Sequence, residues 1–446
     1  MTTPGGWHAP TAGLAAPRGC GLPNPAGPMA RERRVAGPLG LPSAYRPLAA
    51  MAFAGAMARL ELLTRPSPVL FLCLFASQAG MLVLSPILPD IAREFGISTA
   101  TAGQLRSVSG GAGGMTAVVL VMARRRPGLR DLLSGGAALV VLGSALSAAA
   151  PTFTVLAAAQ AVLGVGIGLL VAVGIAAAGQ WPAPARRPQV LAWAIAGMPA
   201  AWILSMPVVG AVAGIDWRAA WIAVPTLVGL AALALLRLRA PDAASRRKGD
   251  CVGAWRRPEV ARFATAELLA NAAWGSVLTY AGTLLVASYD VSPGVVGVGL
   301  GAMAVAMLPA TFAARRRAAH ASPALLASLT ALQGGAVLVL GTVRPAAAVT
   351  LGVLALMAFV NGWRSMLASA LGMDTAPEDK VTVMAMRAAA NQFGYLLGAA
   401  AGGLALALAG FPGLGVMLGA MFVAAGLVHV KALLRAPTPT PGEALA

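Results

Sequence analysis

The sequence predicts an all-α membrane protein of twelve transmembrane helices in two pseudo-symmetric six-helix bundles. Of its 446 residues, 58% are hydrophobic and only 11% are charged, which is too apolar for a soluble chain of this length. Apolar stretches of about 20 residues recur along the chain, and each is long enough to cross a bilayer as a helix. A third observation, an internal repeat, relates the first six stretches to the last six.

The apolar stretches divide the chain into bundles, tails and one linker. Residues 1–65 are rich in Pro, Gly, Ala and Arg and predict a disordered cytoplasmic tail. We expect one bundle at 66–238, a basic cytoplasmic linker at 239–259, a second bundle at 260–434 and a C-terminal tail at 435–446. The predicted spans, numbered 1 to 12, are 68–89, 101–123, 131–149, 153–178, 188–214, 218–237, 260–288, 294–313, 322–342, 346–372, 381–408 and 413–433.

The positions of Arg and Lys predict the orientation, because cytoplasmic loops carry their excess. An even number of crossings with both termini in the cytoplasm satisfies this rule, and we expect the inner (plasma) membrane of a bacterium. The residues then placed inside are Arg59, Arg65, Arg124, Arg125, Arg126, Arg130, Arg186, Arg187, those of 237–262, Arg315, Arg316, Arg317, Lys380, Arg387, Lys431 and Arg435. Those placed outside are Arg93, Arg106, Arg218 and Arg344.

The internal repeat links spans 2 and 8. Thr101-Ala102-Gly103 opens span 2 and Ser292-Pro293-Gly294 opens span 8, while Ala-Arg-Arg-Arg closes both spans, at 123–126 and 314–317. The offset is 191 residues at both ends. Two parallel repeats joined by a cytoplasmic linker form an architecture whose halves rock around a site at the membrane midplane.

Composition excludes several other classes of protein. The formal net charge of +18 lies in short loops rather than on one surface, so we expect no nucleic-acid partner. The few cysteines and histidines have no ligand spacing, so we expect no metal and no cofactor. No Gly-x-x-x-x-Gly-Lys-Ser/Thr loop is present, which argues against ATP hydrolysis as the energy source. The residues concerned are Cys20, Cys73, Cys251, His8, His320 and His429.

Short motifs near the outer ends of the spans form a set. They are Pro86-Ile87-Leu88-Pro89-Asp90-Ile91-Ala92, Phe95-Gly96-Ile97-Ser98, Ala102-Gly103-Gln104-Leu105 and, after span 5, Asp216-Trp217-Arg218. Over residues 68–434 this set resembles the major facilitator superfamily, particularly its bacterial drug- and sugar-efflux branch. The resemblance implies a secondary transporter that works by alternating access.

Other motifs of that superfamily are altered in this chain. Its loop between helices two and three usually reads Gly-x-Leu-Ala-Asp-Arg-x-Gly-Arg-Arg, and here Arg126, Gly128 and Arg130 keep the pattern while Arg125 replaces the Asp. Its fourth helix usually carries an Arg where Gln160 stands. In the superfamily, that Asp and that Arg form a charge pair to which gating and proton relay are attributed. Both are replaced here, so the resemblance does not decide how transport would be coupled to protons.

Span 5 keeps part of the superfamily's antiporter pattern Gly-Pro-x-x-Gly-Gly. Pro207 and Gly210 are the residues that remain of it. Gly and Pro at these positions would let helices approach closely and bend during the transition. Simple helix packing is the alternative interpretation.

Ionisable side chains within the spans predict the functional site, because each costs about 2.5–3.5 kcal/mol at a helix centre on insertion scales. Glu267 lies in span 7, with Asn271 and Trp274 on the same helix face. Asn361 and Arg364 lie one turn apart in span 10, and helices one, four, seven and ten line the cavity in the superfamily fold. The candidate substrate or coupling residues are Gln78, Gln160, Glu267, Asn271, Trp274, Asn361 and Arg364.

Two interpretations of Glu267 stay open. It takes up and releases a proton as its exposure changes, with desolvation and nearby Arg364 acting in opposite directions, or it forms a static ion pair with Arg364 that joins two helices. Asn391, Gln392 and Tyr395 of span 11 lie at a similar depth. Asp90 and Arg106, near the outer ends of their spans, are expected to be solvated, and the tryptophans Trp193, Trp202, Trp217 and Trp221 to anchor the chain at the membrane interface.

Taken with the resemblance, these residues predict proton-linked efflux of a small molecule. The alternatives are an uptake permease or facilitator, a polytopic membrane enzyme, and a sensor of transporter fold that does not transport. The expected partners are a small-molecule substrate, membrane lipids and protons. We expect the chain to be a monomer and not an enzyme.

Overall fold

A computed structural model describes residues 66–123, 127–239, 257–310, 313, 321–375 and 380–433. All regular secondary structure within these ranges is helical. The predicted tails at 1–65 and 435–446, most of the linker at 239–259, and Arg126 lie outside the described residues.

The helices match the twelve predicted spans. Spans 1 to 6 correspond to Pro66–Leu82 with Leu84–Glu94, Thr99–Met122, Leu129–Ala149, Phe153–Gln180, Arg187–Ala213, and Ala219–Trp221 with Ile222–Thr226 and Leu227–Arg239. Spans 7 to 12 correspond to Pro258–Tyr289, Pro293–Val305, Pro323–Thr342, Ala347–Thr375, and Lys380–Leu433, which contains both spans 11 and 12.

Ten helices of the described chain are long and apolar enough to cross a membrane. One of these, Met386–Val430, contains two predicted spans. Span 2, Thr99–Met122, is helical but is not among the ten. The prediction of an all-α membrane fold is confirmed.

The break between spans 11 and 12 has a local cause. Ala409 and Gly410 leave the helical conformation, and Gly410 has φ 62° and ψ −156°, a region that only glycine adopts easily. Pro412 follows and cannot donate a backbone hydrogen bond to the preceding turn. The structure therefore turns the chain within the interval 408–413 that the sequence predicts.

Prolines also remove backbone hydrogen bonds within spans 1 and 6. Span 1 keeps helical angles at Val83, with φ −53° and ψ −39°, and farther along Pro89 leaves the Ser85 carbonyl without its helical donor. In span 6 a π-helical turn, Ile222–Thr226, contains Pro225. The Thr226 hydroxyl donates to the Trp221 carbonyl at 2.9 Å, which replaces the backbone hydrogen bond that Pro225 cannot make.

Large apolar side chains lie on the outside of the helices. Leu142, Val208 and Leu404 are 49%, 45% and 58% exposed. Their exposure to water would be unfavourable, whereas lipid tails solvate them well. The surface therefore agrees with a bilayer as the solvent of the chain.

Glycines bring the helices close together. A Cβ on Gly168 of span 4 would meet the Gly113 Cα of span 2 at 2.9 Å, and one on Gly341 of span 9 would meet the Gly415 Cα of span 12 at 2.8 Å. Close approach of small residues drives helix packing where no hydrophobic effect acts between helices.

The N-termini of spans 2 and 8 share a cap. Ser98 and Ser292 each accept a hydrogen bond from the backbone N–H three residues on, as N-cap residues do. These serines are 194 residues apart, so the caps differ by three residues from the 191-residue offset of the sequence repeat. The boundaries of the two predicted bundles stay a prediction.

Candidate functional site

Glu267 is at the centre of a buried charge cluster. Its side chain is fully buried, and Arg364, which is 1% exposed, donates to its Oε1 at 2.6 Å. Arg387 of span 11 donates to Oε2 from Nε at 2.7 Å. The carboxylate therefore joins spans 7, 10 and 11, with one oxygen for each guanidinium group.

The cluster extends to neighbouring polar groups. Asn361 accepts a weak hydrogen bond from Arg364 Nη2 at 3.5 Å, and Arg387 also donates to the carbonyl and hydroxyl of Ser365. His429 of span 12 is 4% exposed and lies within electrostatic range of Glu267. We therefore call Glu267, Arg364 and Arg387 the charge triad.

Arg387 and His429 were not among the predicted site residues. Arg387 was counted with the cytoplasmic cations although predicted span 11, 381–408, contains it, and the helix that starts at Lys380 places it seven residues inside. A spacing of four residues puts Arg387, Asn391 and Tyr395 on one helix face, and that pattern is visible in the sequence. No sequence signal linked His429 to Glu267, since their helices are far apart along the chain.

Asn271, Trp274 and Gln78 are buried, and the hydrogen bonds of Asn271 and Gln78 do not reach the carboxylate or guanidinium groups of the triad. The Asn271 amide donates to the Glu267 backbone carbonyl at 2.7 Å. The rings of Trp274 and Trp202 stack, with centroids 6.1 Å apart and planes 7° from parallel. Trp202 donates its Nε1 hydrogen to Gln78 at 3.1 Å, so this group connects spans 1, 5 and 7.

Three expectations about aromatic residues are wrong. Trp202 and Trp217 are each 6% exposed and Trp221 is fully buried, so none of the three presents its ring to lipid. Trp202 finds a polar partner for its indole N–H inside the bundle, as a buried tryptophan needs. Trp193, by contrast, is 56% exposed.

Gln160 lies in a different contact from the triad. Its Nε2 donates to the Ser147 hydroxyl at 2.9 Å, and Ser147 in turn donates to the Gly143 carbonyl at 2.7 Å. These bonds join spans 3 and 4. The structure thus gives Gln160 a helix-joining contact.

Arg106 is buried rather than solvated, contrary to the expectation. It lies seven residues after Thr99, the first residue of its helix, and is 1% exposed. Its Nε, Nη1 and Nη2 atoms are buried and have no hydrogen-bond partner. It lines a small cavity with Met81, Ser109, Gly110, Ile167, Gln392 and Tyr395.

The two predicted bundles contact each other near one end of the molecule. Gln104 of span 2 donates to the Ala399 carbonyl at 3.3 Å, and Ser107 donates to the Leu396 carbonyl at 3.2 Å. Gly282 of span 7 packs against the Ser85 carbonyl that Pro89 leaves free. Farther along span 2, Met122 is 67% exposed. The end in contact is the one that the arginine distribution places outside.

Comparison with known proteins identifies this architecture. Residues 70–384, which are most of the chain, match the profile of the Major Facilitator Superfamily. The chain belongs to the Major Facilitator Superfamily. No curated protein sequence matches it.

Solved structures of Major Facilitator Superfamily-type transporters have the same fold. The human organic anion transporter MFSD10 (TETRAN) has a TM-score of 0.63 at 16% identity over 82% of this chain and 99% of that one. A bacterial homologue of the human lysosomal transporter Spinster, inward-facing and occupied, has 0.67 at 13% over 83% and 98%. A POT family transporter with a thioalcohol-conjugated peptide has 0.66 at 13% over 84% and 97%.

The superfamily motif after span 2 is only partly described. Gly128 is the residue that precedes span 3 and has an extended conformation. Arg130 donates to the Arg237 carbonyl at the end of span 6 at 2.8 Å. This bond places a cation at a helix C-terminus, where the helix dipole favours it.

The span 5 motif lies at a close helix crossing. A Cβ added to Gly210 would meet the Gly297 Cα of span 8 at 2.8 Å, and one added to Gly301 would meet the Pro207 Cδ at 2.9 Å. Spans 5 and 8 thus approach closely at the positions that the superfamily's antiporter pattern occupies.

The Asp-Trp-Arg segment also has a defined contact. Arg218 donates to the Ala148 and Ala150 carbonyls and to the Glu94 carboxylate, and Trp217 donates to the same carboxylate. The segment therefore ties the end of span 3 to the end of span 1. Its contacts are structural ones at the outer end.

Proposed function

We propose that this superfamily member moves a small molecule across the membrane by alternating access. The observation that carries the proposal is the layer of polar side chains buried where spans from both predicted bundles meet. Arg106, Gln392 and Tyr395 come together there, and Arg387 of the charge triad lies on span 11 with Gln392 and Tyr395. Burial of ionisable side chains within a membrane costs free energy, and such side chains usually mark a site that binds a substrate or an ion.

The contact between Ser107 and Leu396, with its neighbours, closes the molecule at the predicted outer end. We propose that the described conformation is therefore inward-facing and that the two predicted six-helix bundles, 66–238 and 260–434, rock about the polar layer. The membrane would be a bacterial plasma membrane, with both termini in the cytoplasm. The chain would work as a monomer.

Proton-linked efflux is the preferred mode, and Glu267 is the group proposed to carry the proton. It is the only acidic side chain that is fully buried among the described residues. Two guanidinium groups neutralise it here, so proton uptake requires that Arg364 or Arg387 move away from it in the other state. All three triad residues lie in the second predicted bundle, and this movement must therefore occur within that bundle.

One observation favours the alternative, a facilitator or uptake permease without proton coupling. Both oxygens of Glu267 are bound to cations from two different helices. A carboxylate held this way serves well as a fixed helix-joining group, which is the static interpretation of the sequence analysis. The test must therefore separate coupling from transport.

Counterflow in proteoliposomes tests transport, with a solute first found by a thermal-shift screen, since a bound solute stabilises the fold. Positive counterflow supports a carrier, and its absence for every stabilising solute contradicts the proposal. Glu267→Gln is then compared with the unchanged chain under an imposed pH gradient. Proton-linked transport through Glu267 predicts that the pH-driven component disappears in Glu267→Gln while counterflow persists. An unchanged pH-driven flux in Glu267→Gln would remove Glu267 as the proton carrier, and the absence of a pH-driven flux in the unchanged chain would indicate the facilitator.

Direction is measured separately. Everted membrane vesicles and whole cells present opposite faces of the protein to the added solute. Efflux predicts accumulation in energised everted vesicles and lower retention in cells that produce the protein. Accumulation in cells would instead indicate uptake.

A further inference from the structure

We propose that Arg106 is the anion-binding residue of the transported substrate, so that the substrate class is a small organic anion with a carboxylate or a similar oxyanion. The inference rests on the proposed transport function and deepens it. It starts from a guanidinium group that is 1% exposed and whose three nitrogens have no hydrogen-bond partner.

A buried arginine without a partner calls for an explanation, because burial of an uncompensated charge is among the most unfavourable arrangements in a protein. Arginine stays protonated in proteins, so it cannot avoid the cost by losing its charge. Within a membrane, the default interpretation of such a group is a functional one, and here that function is to bind a ligand of opposite charge.

The described part of the chain places no carboxylate in hydrogen-bond contact with Arg106. Glu267, the fully buried acid of the described chain, has each oxygen bound to a different guanidinium group, Arg364 and Arg387. The described helices thus bury one carboxylate and two arginines, Arg106 and Arg364, and a third arginine, Arg387, is 20% exposed. The excess of positive charge inside the bundle favours a ligand that brings negative charge.

The cavity beside Arg106 has a volume of about 10 Å³ in the described conformation, which is room for about one water molecule. Ser109, Gln392 and Tyr395 line the cavity with polar atoms, and Met81 and Ile167 supply apolar walls. Guanidinium presents parallel N–H donors that match the two oxygens of a carboxylate. A compact anion suits these polar and apolar groups once spans 2 and 11 have parted enough to admit it.

The position of the cavity relates binding to the transport cycle. Arg106 and Ser109 belong to span 2, while Gln392 and Tyr395 belong to span 11, so the lining comes from both predicted bundles. Next to it, Ser107 donates to the Leu396 carbonyl across the same two helices. An anion between Arg106 and span 11 would therefore stabilise the closed contact between the bundles.

The test uses the purified full chain in detergent and two pairs of probes, acetate with acetamide and benzoate with benzamide. Each pair has nearly the same shape and differs in charge. The melting temperature is measured against probe concentration at matched ionic strength for the unchanged chain, Arg106→Gln, Arg106→Lys and Arg344→Gln. Arg344 is a matched control, because it is an arginine near the same end that donates to helix carbonyls.

We expect the carboxylates to raise the melting temperature more than the amides in the unchanged chain, in Arg106→Lys and in Arg344→Gln. In Arg106→Gln the half-saturating carboxylate concentration should rise at least about tenfold, as for loss of one charge-assisted contact. Without probe, Arg106→Gln should melt no lower than the unchanged chain, since it removes an unpaired charge.

Equal stabilisation by carboxylate and amide in the unchanged chain, or retained carboxylate stabilisation in Arg106→Gln, overturns the inference. A lower melting temperature of Arg106→Gln without probe also does so, because it would mean that Arg106 has a partner in the protein. The assay measures binding alone. If counterflow is absent but carboxylates still stabilise the chain through Arg106, the transport proposal is wrong and the anion site remains. If counterflow is present but carboxylates do not stabilise the chain through Arg106, only the anion site is wrong.

Discussion

At the residue scale, the charge triad is asymmetric, and this asymmetry predicts unequal effects of mutation. Glu267→Gln leaves Arg364 and Arg387 as two cations without a carboxylate. Arg364→Gln leaves Glu267 still paired with Arg387. Removal of one partner of a buried pair costs roughly 3–5 kcal/mol, so we expect Glu267→Gln to lower stability by about this amount and Arg364→Gln to lower it clearly less.

The measurement is the melting temperature of each purified variant and of the double variant. If the two side chains interact, the double variant is less destabilised than the sum of the single ones. The triad as described would be contradicted if the destabilisation of the double variant equalled the sum of the two single ones. It would also be contradicted if Arg364→Gln lowered the melting temperature more than Glu267→Gln does.

Residue-level chemistry was only partly predictable from the sequence. Glu267 and Arg364 were predicted as a possible pair because charges deep in apolar stretches are rare. Arg106 and Arg387 were assigned to the ends of their helices, since the positive-inside rule weighs loop position and not depth. Both arginines lie within their predicted spans, 101–123 and 381–408, and the helices begin only two residues and one residue earlier, at Thr99 and Lys380. It is the packing of these helices against their neighbours that brings both arginines inside the bundle.

At the element scale, the crossing of spans 5 and 8 depends on Gly210. A Cβ there would meet the Pro293 carbonyl oxygen at 2.5 Å and the Gly297 Cα at 2.8 Å, so one of the helices must move. We expect Gly210→Ala to destabilise the chain by about 1–3 kcal/mol, as overpacking does. Gly352→Ala is the control, because a Cβ there has nothing within 4 Å, and helix propensity alone would make it neutral or stabilising by about 0.5–1 kcal/mol.

Thermal melting of both variants checks this prediction, and counterflow shows whether the crossing matters for transport. If Gly210→Ala is as stable as Gly352→Ala, the close crossing does not limit packing. A stable Gly210→Ala variant that no longer transports would show that the crossing is needed in another conformation.

The elements themselves were largely predictable, and the exceptions have physical causes. Span 2 falls outside the ten clearly apolar helices, because its glycines, Gln104 and Arg106 serve contacts with other helices rather than with lipid. Spans 11 and 12 were separated correctly by Gly410 and Pro412. Span 1 was predicted as one stretch, and its backbone stays helical through Val83 despite Pro86 and Pro89, since a proline can bend a helix without ending it.

At the scale of the whole molecule, alternating access requires the contact between spans 2 and 11 to open once in each cycle. Ser107 and Leu396 face each other there, with the hydroxyl donating to the carbonyl at 3.2 Å. A cross-link between Ser107→Cys and Leu396→Cys, formed by a short reversible bis-thiol reagent after Cys20, Cys73 and Cys251 are replaced by Ser, should hold the described state. We expect counterflow to fall at least about tenfold, because a state that cannot be left supports no turnover, and to return after reduction.

The matched control is a cross-link between helices that should stay together. Thr330 of span 9 and Gly426 of span 12 both lie in the second predicted bundle, and a Cβ on Gly426 would meet the Thr330 Oγ1 at 2.9 Å. If the bundles move as units, the cross-linked Thr330→Cys/Gly426→Cys variant should keep its counterflow. Full activity of the cross-linked Ser107/Leu396 pair would mean that this contact persists throughout the cycle, and rocking of the two bundles about the polar layer would then be the wrong mechanism.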